Sequence, residues 1–236
     1  MTFSNLPEEP KIALLDSDII VYRVGFASED DDVSFALSRV TEFVTDTVYF
    51  DLNCDDYEAW ITGSTNFRTE VAVTAPYKGN RKAPKPKHYE AIRKHLQALG
   101  AEKTVDMEAD DAIGIRSTEL LDKCWIVSID KDLDQLQGWH YNFVKREKYY
   151  ITAEEGMRRF YKQILTGDRI DNIVGIRGIG PVKAEKILAD KLTQRAMYDE
   201  CVKQYDDNES RVIENAKLLH LLRYKGEEWQ PPAPEQ

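Results

Sequence analysis

The chain begins with short apolar runs and ends in helical periodicity. "KIALLD" (11–16) is an apolar stretch closing on acid, the pattern of a buried strand reaching its carboxyl end. A helical pattern follows from about Val33 to Val48, and "EAWIT" predicts a second strand. "APYKGNRKAPKPK", with Pro76, Pro84, Pro86 and a Lys-Gly-Asn-Arg turn, reads as a loop. "HYEAIRKHLQALG" predicts an amphipathic helix closed by Gly100. "MEADDAIGIRSTELL" predicts another, with its acids in the first turn where the helix dipole favours them. "CWIVSID" and "WHYNFV" are the third and fourth strands.

After Thr152 the texture turns helical: a helix over 153–165, a helix–hairpin–helix around Gly178, and two more helices to about Tyr224. The expectation is an α/β fold, with a mostly parallel central sheet flanked by helices and a helical C-terminal subdomain containing the helix–hairpin–helix. The corresponding division is an α/β core at 1–152, a helical DNA-binding subdomain at 153–229 and a disordered tail at 230–236. With 236 residues, 42% of them hydrophobic, the chain can bury one sizeable core with an attached subdomain.

Charge narrows the partner. Forty-two acids against 32 bases give a net charge of −10, which argues against coating nucleic acid by bulk charge. Locally the balance reverses. Between Tyr77 and His95 stand Lys78, Arg81, Lys82, Lys85, Lys87, Arg93 and Lys94 against Glu90 alone. Such a run is either a solvated loop and helix face or a backbone-binding strip. Cys54, Cys124 and Cys201 are scattered and make no zinc or disulfide framework, which fits a reducing cytoplasm. "MTFSNLPEEP" lacks the basic start and apolar stretch of a signal peptide, and no run is long enough to span a membrane.

Acid is concentrated in four clusters: Asp16 with Asp18, Glu108 with Asp110 and Asp111, Asp130 with Asp132, and Asp168 with Asp171. Asp16 and Asp130 are read as ending strands, where open α/β sheets bind ligands. Glu108 and Asp111 share a helix face, Asp168 and Asp171 repeat that spacing, and Asp130 and Asp132 project alike if the strand persists. Singly, each pair reads as a cap or a solvated turn. Together they need a compensating cation, or several must stay protonated. Hard oxygen ligands favour Mg²⁺, with Mn²⁺ as a substitute. Two such ions roughly 4 Å apart can activate water and stabilise the leaving oxygen of a phosphodiester. The turn Gly178-Ile179-Gly180 with Lys183 then offers backbone N–H groups, a helix N-terminus and a charge to another phosphate, without base preference.

"LLDSD", "FRTEVAVTAPYKGNR", "MEADDAIG", "VSIDKDLDQL" and "TGDRIDNIVGIRGIGPVKA" together resemble the 5′-nuclease family of flap endonucleases, polymerase 5′-nuclease domains and phage 5′–3′ exonucleases. The resemblance implies Asp16, Glu108, Asp110 and Asp111 around one metal, with Asp18 adjacent, and Asp130, Asp132, Asp168 and Asp171 around the other. It makes Asp16, Asp130, Asp132, Lys78 and Arg81 catalytic, the last two through the scissile phosphate. Gly178, Gly180 and Lys183 would grip the duplex, with K⁺ on hairpin carbonyls. Small size and the absence of a polymerase are similar to phage-type enzymes of DNA replication. The expected activity is hydrolysis of DNA at or near a 5′ end, flap or nick, leaving 5′-phosphates, with RNA–DNA hybrids as further substrates and a monomeric protein.

Two departures stand out. The family's aspartate before "FR" is missing, and "WITGSTNFR" puts Gly63 or a neighbour in its place. The interval from Lys78 to Glu108 holds one helix and a loop, which predicts an open cleft rather than a threading arch. Lys82, Lys85, Lys87, Arg93 and Lys94 would wall one side of it. One rival is a DNA-structure-binding protein with weakened catalysis, motivated by Gly63. Another is a haloacid dehalogenase-like phosphatase, since "LLDSD", "WIVS" and "GDRIDN" imitate its motifs in order. That reading leaves "EADD" and the hairpin unexplained. His88, His95, His140 and His220 carry no chemistry in this reading, and Trp60, Trp125 and Trp139 belong to the core.

Overall fold

The computed structural model describes residues 9–234, so most of "MTFSNLPEEP" lies outside the described residues. Six strands form one sheet: β1 (Ile12–Asp16), β2 (Asp56–Ile61), β3 (Glu102–Lys103), β4 (Cys124–Val127), β5 (Gly138–Asn142) and β6 (Glu147–Ile151). Their order is β3-β2-β1-β4-β5-β6, parallel throughout except for β5 with β6. β1 is central, with Leu15 opposite both Ala59 and Val127. Because the order runs outward from β1 in both directions, the crevice beyond its carboxyl end is a switch point of the kind where α/β sheets take ligands.

Two compact units divide the chain. The first comprises Met1–Asn66, Ala83–Thr152 and Leu222–Lys225. It holds the sheet and helices α1 (Ser17–Ala27), α2 (Val33–Thr45), α4 (Tyr89–Ala98) and α5 (Ala109–Leu120). Its core gathers Leu15, Val21, Val40, Ile61, Trp125 and Val127, all essentially inaccessible. Full burial of each aliphatic side chain contributes roughly 1.5–3 kcal/mol. The second unit comprises Phe67–Lys82, Ala153–Leu221 and Gly226–Gln236. It contains α3 (Arg68–Val71), α6 (Ala153–Thr166), the ribbon β7 (Gly167–Asp168) and β8 (Ile173–Val174), α7 (Pro181–Leu188), α8 (Gln194–Gln204) and α9 (Glu209–Leu219). Tyr161, Ile164, Leu188, Met197 and Val212 centre its own core. The division thus differs from a cut at 152, since 67–82 goes with the helices and 222–225 with the sheet.

Other differences have local causes. α2 continues as a π turn over Asp46–Asp51, a change of register that helical periodicity does not reveal. β6 opens on exposed Glu147 and Lys148, so its polar edge hides the β-forming Tyr149, Tyr150 and Ile151. β4 stops at Val127, which leaves Asp130 beyond the strand as cap of a 3₁₀ turn over Lys131–Gln135. Asp130 and Asp132 therefore do not share a strand face. The Gly178 turn is entered from β8 rather than from a helix, and α7 follows it. In the tail, the Pro232 carbonyl accepts from Arg195 at 3.0 Å, while residues 235–236 lie outside the described residues. All three cysteines are reduced and buried. Among the described residues no helix is long and apolar enough to cross a membrane.

Candidate functional site

In the sheet unit, Asp16 ends β1 and caps α1, accepting from the Ile19 N–H at 3.3 Å. It is 2% exposed. Burial, then repulsion from Asp18 and Asp130, pushes its carboxyl up to about 7 against the pull of bonds from Ser128 and Ile19. Asp18, two residues on in the first turn of α1, is matched by Arg93 at 3.1 Å and accepts the Thr62 N–H at 3.0 Å. Asp130 accepts from the Asp132 N–H at 2.8 Å.

Glu108 and Asp111 form a capping box at the start of α5, in which Asp111 Oδ2 accepts from the Glu108 N–H at 3.0 Å. Asp111 Oδ1 accepts from the Leu222 N–H at 3.2 Å, and the residue is fully buried. Each of its oxygens already serves the fold, so Asp111 is first a structural carboxylate. Asp110 is half-buried in the same first turn.

In the helical unit, Asp168 and Asp171 sit on the ribbon and its loop rather than on a helix. Asp168 Oδ1 accepts the N–H groups of Ile170 and Asp171, at 2.6 and 3.0 Å. Asp171 takes the Tyr77 hydroxyl at 2.8 Å, Arg81 at 2.6 Å and Lys78 Nζ at 3.6 Å. Lys78 adopts φ 55°, a left-handed conformation uncommon for a long side chain, and its N–H donates to the Asp171 carbonyl at 2.8 Å. Both basic groups expected at a phosphate are therefore held on a carboxylate.

The remaining basic residues divide. Lys82 and Lys94 are exposed. Lys85 is exposed too, lying over the Tyr89 ring at 4.1 Å and 3.8 Å from Glu90. Lys87 donates to the Glu29 and Asp31 carbonyls. Arg93 is occupied by Asp18 and by the Thr62 carbonyl at 2.6 Å, so it braces a candidate ligand instead of lining a surface. Gly178 has φ +82°, whereas Gly180, which caps α7, has φ −98°. A cavity of about 380 Å³ is lined by Gly180, Pro181, Val182, Lys183 and Lys186.

Gly63 donates its N–H to Thr104 Oγ1 at 3.1 Å. A Cβ there would fall 2.1 Å from the Thr104 carbonyl oxygen, so the backbone path excludes any side chain. Ser128 is the residue that sequence reasoning missed. It donates to Asp16 Oδ2 at 2.7 Å and accepts from the Asp130 N–H at 2.9 Å. Its position after the "WIV" strand was the available signal.

Among the described residues no three His, Cys, Asp or Glu side chains stand in place to hold a metal ion. The donor set nevertheless suits a hard divalent cation, because a buried carboxylate opposed by two others gains from positive charge.

No family model matches the sequence. The flap endonuclease Xni of Shewanella woodyi is 30% identical over 185 residues, covering 70% of this chain and 71% of that one. DNA polymerase I of Bacillus caldotenax is 28% identical over 210 residues, which are 75% of this chain but 23% of the polymerase. The bacteriophage T5 D15 flap endonuclease, solved with DNA and metal ions, shares the fold at a TM-score of 0.65 over 89% of each chain, with 18% identity. The identity to the Shewanella protein extends across more than two thirds of that protein, and this chain belongs to the 5′-nuclease family.

Proposed function

We propose that the protein is a divalent-cation-dependent, structure-specific 5′ nuclease, hydrolysing DNA at or near a 5′ end, flap or nick and leaving 5′-phosphates. The observation that carries this reading is Asp16, a carboxyl held near neutrality at the carboxyl end of the central strand by burial and by Asp18 and Asp130. Asp16, Asp18, Glu108, Asp110, Asp130 and Asp132 in one unit, and Asp168 and Asp171 in the other, are the groups assigned to cation binding, with Asp111 anchoring their helix. Bound Mg²⁺ or Mn²⁺ supplies Lewis acidity and charge neutralisation at the phosphodiester.

The chain's own residues do the rest. Ser128 orients Asp16 and ties it to the Asp130 backbone. Lys78 and Arg81 exchange Asp171 for the phosphate and offset its developing charge. Gly178, Gly180 and Lys183 hold duplex backbone, with K⁺ assigned to the hairpin, in what serves as a DNA-binding subdomain. RNA–DNA hybrids are further substrates, and the acting species is a monomer in the cytoplasm.

A time course on end-labelled duplex, flap and nicked oligonucleotides, with and without Mg²⁺, tests this reading. Mg²⁺-dependent short products from the 5′ side are expected. Gly63 and the unassembled carboxylates favour one second reading, a DNA-structure-binding protein with weakened catalysis. Tight flap binding with no product at any Mg²⁺ concentration would select it.

A further inference from the structure

We propose that Glu214 and Arg211 of α9 are positioning residues, which join the Val73–Thr74 segment to strand β8 and so fix Lys78 and Arg81 relative to Asp168 and Asp171. This inference rests on the phosphate-binding role given to Lys78 and Arg81. Glu214 Oε1 accepts the N–H groups of Val73 and Thr74 at 2.8 and 2.7 Å, and Oε2 accepts the Thr74 hydroxyl at 2.7 Å. Arg211 pairs with Glu214, donates to Thr74 Oγ1, and reaches the Val174 carbonyl at 2.8 Å with its other terminal nitrogen. Asn215, on the same face of the helix, donates to that carbonyl at 3.0 Å.

One helix face therefore holds two segments. Val73 and Thr74 lead into Pro76–Arg81, and Val174 ends the ribbon that carries Asp168 and Asp171. The tip of the first segment is fastened as well. Asn172 donates to the Pro76 carbonyl at 2.9 Å, and Asn80 to the Arg169 carbonyl at 2.6 Å. Yet side-chain bonds from Tyr77, Lys78 and Arg81 converge on Asp171, a group assigned to cation binding. Once Lys78 and Arg81 turn to phosphate, those bonds go and the Glu214 bonds remain. The left-handed backbone at Lys78 needs such support, because a non-glycine residue is strained there.

Burial works to raise the Glu214 carboxyl, but its bonds to Thr74 and Val73, with the Arg211 charge, outweigh that and hold it below the ordinary glutamate value. It is anionic at neutral pH. With side-chain exposures of 20% for Arg211 and 10% for Glu214, the pair is shielded from salt better than surface pairs are.

The test compares Glu214→Ala, Glu214→Gln, the double variant Lys78→Ala/Arg81→Ala, and that double variant carrying Glu214→Ala. Readouts are single-turnover cleavage of a nicked 5′-flap duplex with Mg²⁺, its KM, and amide exchange over 73–81 without DNA or metal. Glu214→Ala should slow cleavage at saturating DNA on the order of 10–100-fold, as expected when a reacting group is displaced by about an ångström. KM should stay within about threefold, because the duplex-holding hairpin is untouched. Exchange over 73–81 should rise, Glu214→Gln should recover most of the rate, and Glu214→Ala should cost almost nothing further in the double-variant background.

A parent-like rate for Glu214→Ala beside a slow Lys78→Ala/Arg81→Ala chain overturns the positioning role alone. Equal losses in both backgrounds, or no recovery by Glu214→Gln, also overturn it. Parent-like cleavage by Lys78→Ala/Arg81→Ala instead removes the role of those two residues, and the positioning role with it.

Discussion

Ser128 donates its hydroxyl to Asp16 across 2.7 Å, although the two residues lie 112 positions apart. The bond joins the ends of neighbouring strands β1 and β4, and it partly relieves a carboxyl that burial and two other acids oppose.

That opposition makes stability depend on pH. Asp16 titrates at about 7 when folded, against an ordinary value of 3.8. Between those values the folded chain keeps a proton that the unfolded chain has released, so the cation-free protein loses stability as pH rises through this window. The contribution is complete below the lower value and gone above the higher one. Asp16→Asn should therefore raise Tm in EDTA at about pH 8 and flatten its decline from acid to neutral pH. An unchanged slope would mean that Asp16 is already ionised in the fold.

Gly63→Asp should not supply the missing acid. Its Cβ meets a backbone carbonyl, so the variant should lose about 1–3 kcal/mol of stability, read by urea unfolding. Calorimetric Mg²⁺ affinity should not improve. A stable variant that binds Mg²⁺ more tightly would show that the Thr104 backbone gives way.

At the hairpin the two glycines should fail differently. Positive φ belongs to Gly178 alone of the pair. Gly178→Val should lower Tm through backbone strain, whereas Gly180→Val should keep Tm and lose duplex affinity by blocking the approach of phosphate. The loss of affinity should be alike on every DNA sequence, and Lys183→Ala should reduce the salt slope by about one contact. Sequence-selective loss by fluorescence anisotropy would count against phosphate binding here.

Between Lys78 and Glu108 the structure has a single full helix, α4, and the two-residue β3. Two helices would be needed to arch over a threaded strand, so a bulky adduct on the tip of a long 5′ flap should slow junction cleavage only modestly. Blunt duplex ends should also be cut. A strong block by the adduct, with blunt ends left intact, would show that the segment encloses the strand.

Strands β1, β2, β4 and β5 and the main helices were legible because burial imposes short-range periodicity, whereas the exposed two-residue β3 and the polar-edged β6 were not. "KIALLD" and "CWIVSID" announce β1 and β4 by their apolar runs. Asp111 was legible as an acid beside Glu108 but not as the acceptor of the Leu222 N–H, a bond spanning 111 positions. Arg93 shows the same limit, since its charge could be read but Asp18 as its partner could not. Ser128 and Glu214 act through hydrogen bonds to residues far away in sequence, and no periodicity records those.

Arg68 draws a consequence from the way the chain is divided. Its guanidinium lies in a residue 2% exposed and donates to the Leu218 and His220 carbonyls, at 2.8 and 2.7 Å. An expression product stopping at Thr152 would remove both acceptors together with the helices that enclose the guanidinium, leaving Phe67–Lys82 without the unit it belongs to. The same product would remove the Leu222 amide from Asp111. Neither unit is a contiguous stretch of polypeptide, so neither can be excised by one cut or exchanged by simple fusion. Synthesis on the ribosome meets the same condition, because the sheet unit lacks its last segment until Leu222–Lys225 has emerged.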